Sequence, residues 1–290
     1  MAELLAIYNE GAGSADDDVR TAVIETLRGG ADVVEAPVGE KDLEEMLDAC
    51  PGRDVVVLGG DGSLHVVVST LYRRGELDTR TVGLVPLGTG NDFARGLGIP
   101  LDPQVAARVV LAGRPHPLDL LIDDEGGVVV NAVHLGVGAE ASEQAKPLKP
   151  GLGRLAYAVG GLLAGVRSPG WRLRVTVDGR QMAGEDPVLM LGIGNGVTIG
   201  GGTPLTPRAR PDDGMVDVVV ALTTGPLERL AYALRLRRGR HPEMRGVTTG
   251  RGREVTVEGE AVPVNADGEL VGRTARRRWT VMPAAWRMFT

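Results

Sequence analysis

Short apolar runs alternate with stretches of helical spacing through the first 112 residues. Residues 4–8 read as a strand. Residues 16–28 put Val19, Val23, Ile24 and Leu27 at helical spacing, open on acids and stop at Gly29-Gly30. Residues 33–37 form a short strand, 41–50 a helix and 54–58 the next strand. Residues 64–74 are helical, and Ser63 is placed to cap their first turn. A strand follows at 82–85, a helical stretch opens at Asp92, and 102–112 form another helix. Strands alternating with helices imply a parallel sheet covered on both faces, a Rossmann-like α/β domain.

Near Leu118 the pattern changes to strand after strand: 118–122, 128–137, 172–177, 188–193, 216–222, 254–257 and 262–264. Hairpin turns are signalled at Asp124-Glu125-Gly126-Gly127 and at Asp178-Gly179. Two helices interrupt, 152–166 and 227–238, the second ending in arginines. Many strands with few crossovers predict a β-sandwich. The chain of 290 residues exceeds one ordinary core, so the fold expected is α/β plus β. The domains expected are 1–117, completed by a returning segment at 279–290, and 118–278.

Composition removes several classes of function. Hydrophobic content is 43%, and no run approaches the ~18 apolar residues of a membrane span. Met1-Ala2-Glu3-Leu4-Leu5 has no basic leader character, so no signal peptide is expected and a cytoplasmic location fits. Cys50 is the single cysteine, which excludes an internal disulfide and a cysteine-based zinc site. Net charge of −6 and 3% aromatic residues argue against nucleic acid as partner. Lysine occurs only at Lys41, Lys146 and Lys149, so a mechanism that needs one has few candidates.

Two glycine-rich turns carry the chemistry. Gly59-Gly60-Asp61-Gly62-Ser63 follows the strand at 54–58, and Pro86-Leu87-Gly88-Thr89-Gly90-Asn91-Asp92 follows that at 82–85. Glycines at strand-to-helix turns expose backbone N–H groups at a sheet edge, where a phosphate binds well. The bland alternative is a capped helix start at each turn, with Asp61 serving as a cap. Neither turn is a Walker A loop or a dinucleotide fingerprint.

With Leu64-His65 and Phe93-Ala94-Arg95 added, these two blocks resemble the diacylglycerol kinase catalytic family. That family includes bacterial lipid kinases and the sphingosine and ceramide kinases. The resemblance continues through Leu152-Gly153-Arg154-Leu155-Ala156-Tyr157, Gly194-Asn195-Gly196 with Gly200-Gly201-Gly202, and Pro207-Arg208-Ala209. It ends with Asp212-Asp213-Gly214 and Asp267-Gly268-Glu269. It implies ATP-dependent transfer of the γ-phosphoryl group to a lipid hydroxyl, diacylglycerol-like, in a cleft between the domains. Nucleotide contacts are implied at Asn9, Gly59, Gly60, Asp61, Gly62, Ser63, Gly88, Thr89 and Asn91. Asp267 matches the position of the catalytic base, with Glu269 beside it. Read without the family, Asp267-Gly268 is good hairpin chemistry. Asp213 and the Met215 carbonyl match a Mg²⁺ site, and Asp119 with Lys149, or Lys146 in its stead, a supporting charge network.

NAD kinase shares the Gly-Gly-Asp-Gly turn, but the block from Pro86 to Arg95 speaks against it. Glu10 and Val66 depart from the family pattern, which keeps a weakly active nucleotide-binding regulator as a further reading. His65, His116, His134 and His241 lack metal-ligand spacing and read as structural or surface residues. Arg235, Arg237, Arg238 and Arg240 read as a solvated helix end, with anionic lipid headgroups the alternative partner. Transient contact with the inner face of a membrane is therefore expected of a cytoplasmic enzyme, and homodimers are common in such folds.

Overall fold

The computed structural model describes residues 2–9, 14–37, 42–140, 169–184, 186–222 and 225–290. The sequence-predicted helix at 152–166, Glu10, Lys146 and Lys149 lie outside these residues. The chain divides into two compact units, Met1–Leu120 with Pro283–Thr290, and Leu121–Met282.

In the first unit four parallel strands run in the order β2-β1-β3-β4: β1 (Ala2–Tyr8), β2 (Ala31–Pro37), β3 (Asp54–Gly59) and β4 (Thr81–Pro86). The end of the long strand β16 (Glu269–Phe289) adds a fifth, pairing Arg287 and Met288 in parallel with Thr81 and Val82 of β4. Helices α1 (Ser14–Arg28), α2 (Leu43–Ala49), α3 (Asp61–Arg74), α4 (Asp92–Leu97) and α5 (Pro103–Ala112) connect the strands. β3 and β4 are buried apolar runs because a parallel sheet has no solvent face to feed with polar residues. Arg80 is 4% exposed, yet its guanidinium donates to the carbonyls of Leu47, Cys50 and Arg53 and to Glu76. It thereby satisfies carbonyls at the end of α2 that the helix cannot.

The second unit is antiparallel. β13 (Val216–Leu222) pairs with β14 (Val247–Gly252) and β10 (Val188–Gly194). β10 pairs with β7 (Ala132–Gly136), and β7 with the C-terminal half of β15 (Glu254–Ala266). The N-terminal half of β15 instead pairs with β8 (Leu173–Val177), which carries β9 (Arg180–Ala183) as a hairpin. A register shift between Glu258 and Val262 separates the two halves of β15, so one strand serves two sheet partners. β5 (Pro115–Asp123) pairs with β6 (Val128–Val129), and α6 (Pro226–Leu236) follows β13. A small hairpin, β11 (Thr198–Ile199) and β12 (Thr203–Pro204), turns through Gly200-Gly201-Gly202, all at positive φ. The core is aliphatic around Trp171 and Trp279.

Three sequence expectations differ here. Residues 128–137 are broken at Val130-Asn131 into β6 and β7, residues 254–266 form one strand rather than two, and β14 is not among the strands expected. The segment at 279–282 is the interior of β16 in the second unit; the return to the first unit begins at Pro283.

Candidate functional site

Strand register brings the first unit's candidate residues to one sheet edge. Tyr8 pairs with Leu58, Leu58 with Val85 and Gly59 with Pro86. Asn9, the turn after Gly59 and the turn after Pro86 therefore leave the sheet together at the carboxyl ends of β1, β3 and β4. The order β2-β1-β3-β4 reverses direction between β1 and β3, the place where open α/β sheets take ligands.

The two glycine turns lie directly on each other. A Cβ built on Gly88 would stand 2.6 Å from Gly60 Cα and 2.9 Å from Asn91 Oδ1, and one on Gly60 would stand 3.0 Å from Gly88 Cα. A Cβ on Gly59 would collide with Ser63 Oγ at 2.6 Å. Gly60 and Gly88 are demanded by each other's backbone, and Gly59 by the Ser63 side chain. Gly62 is different: a Cβ there would meet nothing within 4 Å, and the residue is exposed at the second position of α3. Of the four, it alone leaves open space in the first turn of a helix, where backbone N–H groups point outward.

Asp61 begins α3 but serves its neighbour. Its carboxylate accepts the backbone N–H groups of Asp92 and Phe93 at 3.0 Å each, the first two positions of α4. The capping alternative raised from the sequence is thus realised on the other turn's helix. Asn91, left-handed at φ 52°, donates from Nδ2 to the Gly88 carbonyl at 2.6 Å. Its Oδ1 is buried with no hydrogen-bond partner among the described residues. Thr89 is exposed, Ser63 half-buried, and Asn9 exposed just past β1. Phe93 stacks on Trp286 of β16 with ring centroids 5.8 Å apart, and Trp286 Nε1 donates to the Asp119 carbonyl. Asp119 itself is buried, and its Oδ1 accepts the N–H of Ala284, held at φ 50°.

In the second unit Asp267 and Gly268 form the two-residue turn joining β15 to β16, both at positive φ (49° and 91°). Asp-Gly is the sequence such a turn prefers. The Asp267 carboxylate accepts three backbone N–H groups, from Val130 at 2.7 Å, Asn131 at 2.9 Å and Ala132 at 3.0 Å. This grip is what interrupts the strand expected at 128–137. The turn does not present two carboxylates alike: Asp267 points to that loop, whereas Glu269 is exposed at the first position of β16.

Asn131, Asn195 and Asn265 surround this anchor. Asn195 Nδ2 donates to the Val130 carbonyl, the N–H groups of Asn195 and Gly196 donate to the Asn131 carbonyl, and Asn265 Oδ1 accepts the Gly268 N–H. The Gly194-Asn195-Gly196 and Asp267-Gly268 blocks therefore meet at residues 130–132. Asn131 and Asn265 were missed in the sequence; polar residues inside apolar strand runs were the available signal. His134, opposite Asn265 in the ladder, is buried, which lowers its imidazole from 6.5 to about 4.

The Asp213 group does not assemble as a cation site. Asp213 Oδ1 accepts the Met215 N–H at 3.2 Å, and Oδ2 is paired with Arg251, whose Nε also bonds Asp217 at 3.0 Å. A guanidinium on the carboxylate is a poor neighbour for a dication. Among the described residues no three His, Cys, Asp or Glu side chains gather as a metal-binding group. The Mg²⁺ expectation at Asp213 and Met215 does not fit this arrangement.

Comparison with known proteins agrees with the sequence blocks. Residues 3–122 match the model of the diacylglycerol kinase catalytic domain, and residues 131–290 that of the YegS C-terminal NAD kinase beta sandwich-like domain. A "Probable lipid kinase YegS-like" of Pseudomonas aeruginosa is 35% identical over 98% of this chain and 93% of its own length. A "Diacylglycerol kinase" of Mycobacterium tuberculosis is 31% identical over 90% of this chain and 85% of its own. The crystal structure of a putative diacylglycerol kinase from Bacillus anthracis superposes with a TM-score of 0.78 at 21% identity, covering 99% and 96% of the two chains. The chain belongs to the YegS-like lipid kinase and diacylglycerol kinase family.

Proposed function

We propose that this protein transfers the γ-phosphoryl group of ATP to the hydroxyl of a diacylglycerol-like lipid. The observation that carries the reading is the open position at Gly62, in the first turn of α3, while the Asp61 carboxylate is engaged by α4. A polyphosphate can then approach α3 without meeting an uncompensated carboxylate. Asn9, Gly59, Gly60, Gly62, Ser63, Gly88 and Thr89 line the nucleotide side, and Asp61 acts by fixing the turns. Asn91 Oδ1 is a buried acceptor, unsuited to a phosphate oxygen, and Asn91 serves the nucleotide by holding the Gly88 carbonyl through Nδ2.

Asp267 takes the acceptor's proton in this reading. The acceptor oxygen forms its bond to the γ-phosphorus, the bond to the β,γ-bridging oxygen breaks, and ADP leaves with that electron pair. The three N–H groups of residues 130–132 hold the carboxylate in place for the transfer. Mg²⁺ carried on the nucleotide would neutralise phosphate charge, and Asp213, held by Arg251, has no part in the step. Asp119 supports the first unit by fixing Ala284.

A second reading, transfer to a nucleotide hydroxyl, is favoured by the NAD kinase-like description of the family matched by residues 131–290. Incubation with γ-labelled ATP, Mg²⁺ and a panel of extracted lipids, with NAD in a parallel tube, separates the two. Label in a lipid spot supports the first reading and label in NADP the second. Binding of ATP with no labelled product sinks both and leaves a regulator.

A further inference from the structure

Helix α6 presents two apolar faces, and only one belongs to the fold. Tyr232 is buried against the unit, its hydroxyl 3.6 Å from Met190 Sδ. Leu227, Leu230 and Leu234, spaced i, i+3, i+7, are 83%, 39% and 52% exposed on the side opposite Tyr232. Residues 237 and 238 continue that stripe one turn further, and both are arginines. From 226 to 245 there are six arginines against two glutamates. Arg235, Arg237, Arg238 and Arg245 are exposed and have no ion pair among the described residues; Arg240 pairs with Glu243 at 3.2 Å.

We propose that this face of α6 docks on an anionic lipid bilayer, with Leu227, Leu230 and Leu234 entering the headgroup–acyl boundary and the arginines engaging lipid phosphates. An exposed leucine stripe that runs into unpaired cations is the composition of an interfacial helix, where long basic side chains reach back to the headgroups. A second copy of the chain suits the face less well. Three leucines supply a few hundred Å² at most, short of the ~800 Å² per partner in a stable protein interface. A bilayer has no such threshold and adds attraction from each arginine. The inference stands on this helix and does not depend on kinase chemistry.

The test is flotation of the full chain, without ATP, on phosphatidylcholine vesicles with and without phosphatidylglycerol. Binding is expected on the phosphatidylglycerol vesicles and is expected to weaken with added salt. The triple variant Leu227→Gln/Leu230→Gln/Leu234→Gln should bind at least tenfold less tightly. Arg237→Ala and Arg238→Ala should each weaken binding by about fivefold. The altered side chains are all exposed, so the thermal melt should not move. Because Trp171, Trp279 and Trp286 are buried, Leu230→Trp adds an exposed reporter that should shift to the blue on anionic vesicles. A wild-type chain indifferent to phosphatidylglycerol, or a triple variant that floats like wild type, overturns the proposal. Equally decisive against it is a dimer that the triple variant dissolves while vesicle binding stays unchanged.

Discussion

At the scale of single residues, the glycines of the two turns divide by what their missing Cβ is for. Gly60 and Gly88 let backbone lie on backbone, whereas Gly62 has only open space around it. Gly62→Ala should therefore keep or raise stability, since alanine favours a helix by about 1 kcal/mol over glycine, yet weaken ATP binding. Paired thermal melts and ATP titrations check this, and an unaltered ATP affinity removes Gly62 from the phosphate site. Asp267 has an internal control in Asp178, whose Asp-Gly hairpin also has a carboxylate accepting two backbone N–H groups, from Arg253 and Glu254 at 2.9 Å each. Asp178→Asn and Asp267→Asn should each cost about 1–3 kcal/mol through lost charge-assisted bonds. Only Asp267→Asn should abolish phosphoryl transfer, measured well below both melting points with ATP affinity intact. Normal turnover in that variant ends its role as base. The sequence showed that Asp61 and Asp267 matter locally but not whom they hold. Their partners lie 31 and 137 residues away, a separation that spacing does not encode.

Among elements, the alternating α/β part was legible because each strand and helix is specified by its own run of residues. β3, α3 and β4 follow from buried runs, glycine stops and caps. The second unit was less so: β15 changes partner at a bulge, and β6 and β7 are parted by a carboxylate from a distant turn, choices made by tertiary contacts. The β7–β15 ladder also predicts an acid response. His134 is buried neutral with its imidazole lowered to about 4, against 6.5 when unfolded. Protonation in that window favours the unfolded chain, so stability is full above pH 6.5 and falls as pH drops toward 4, by up to about 3 kcal/mol. His241, lowered by burial despite its Leu205 carbonyl partner, adds in the same direction. Denaturant midpoints between pH 7 and 4 should show His134→Gln less acid-sensitive than wild type. Parallel slopes would refute the assignment.

For the molecule as a whole, chain order and fold order disagree. The first unit is built from residues 1–120 and then closed by residues 283–290, whose Trp286 stacks on Phe93 beside the second glycine turn. Deleting residues 283–290 should unfold the first unit, through the lost β4 neighbour and a loss of about 3–5 kcal/mol from the missing Trp286 side chain. Circular dichroism reports the helices, and a shortened chain that melts like the full one contradicts the prediction. Among the described residues no helix is long and apolar enough to cross a membrane, so any hold on a bilayer by these helices is a surface one. The late closure has a consequence for biogenesis. About 160 residues separate the two parts of the first unit, which at ~5–20 residues per second is some 8–30 s of synthesis. During that time the ribosome has released a sheet whose β4 edge is bare. A chain stopped before residue 283 therefore leaves its first unit unsealed at β4.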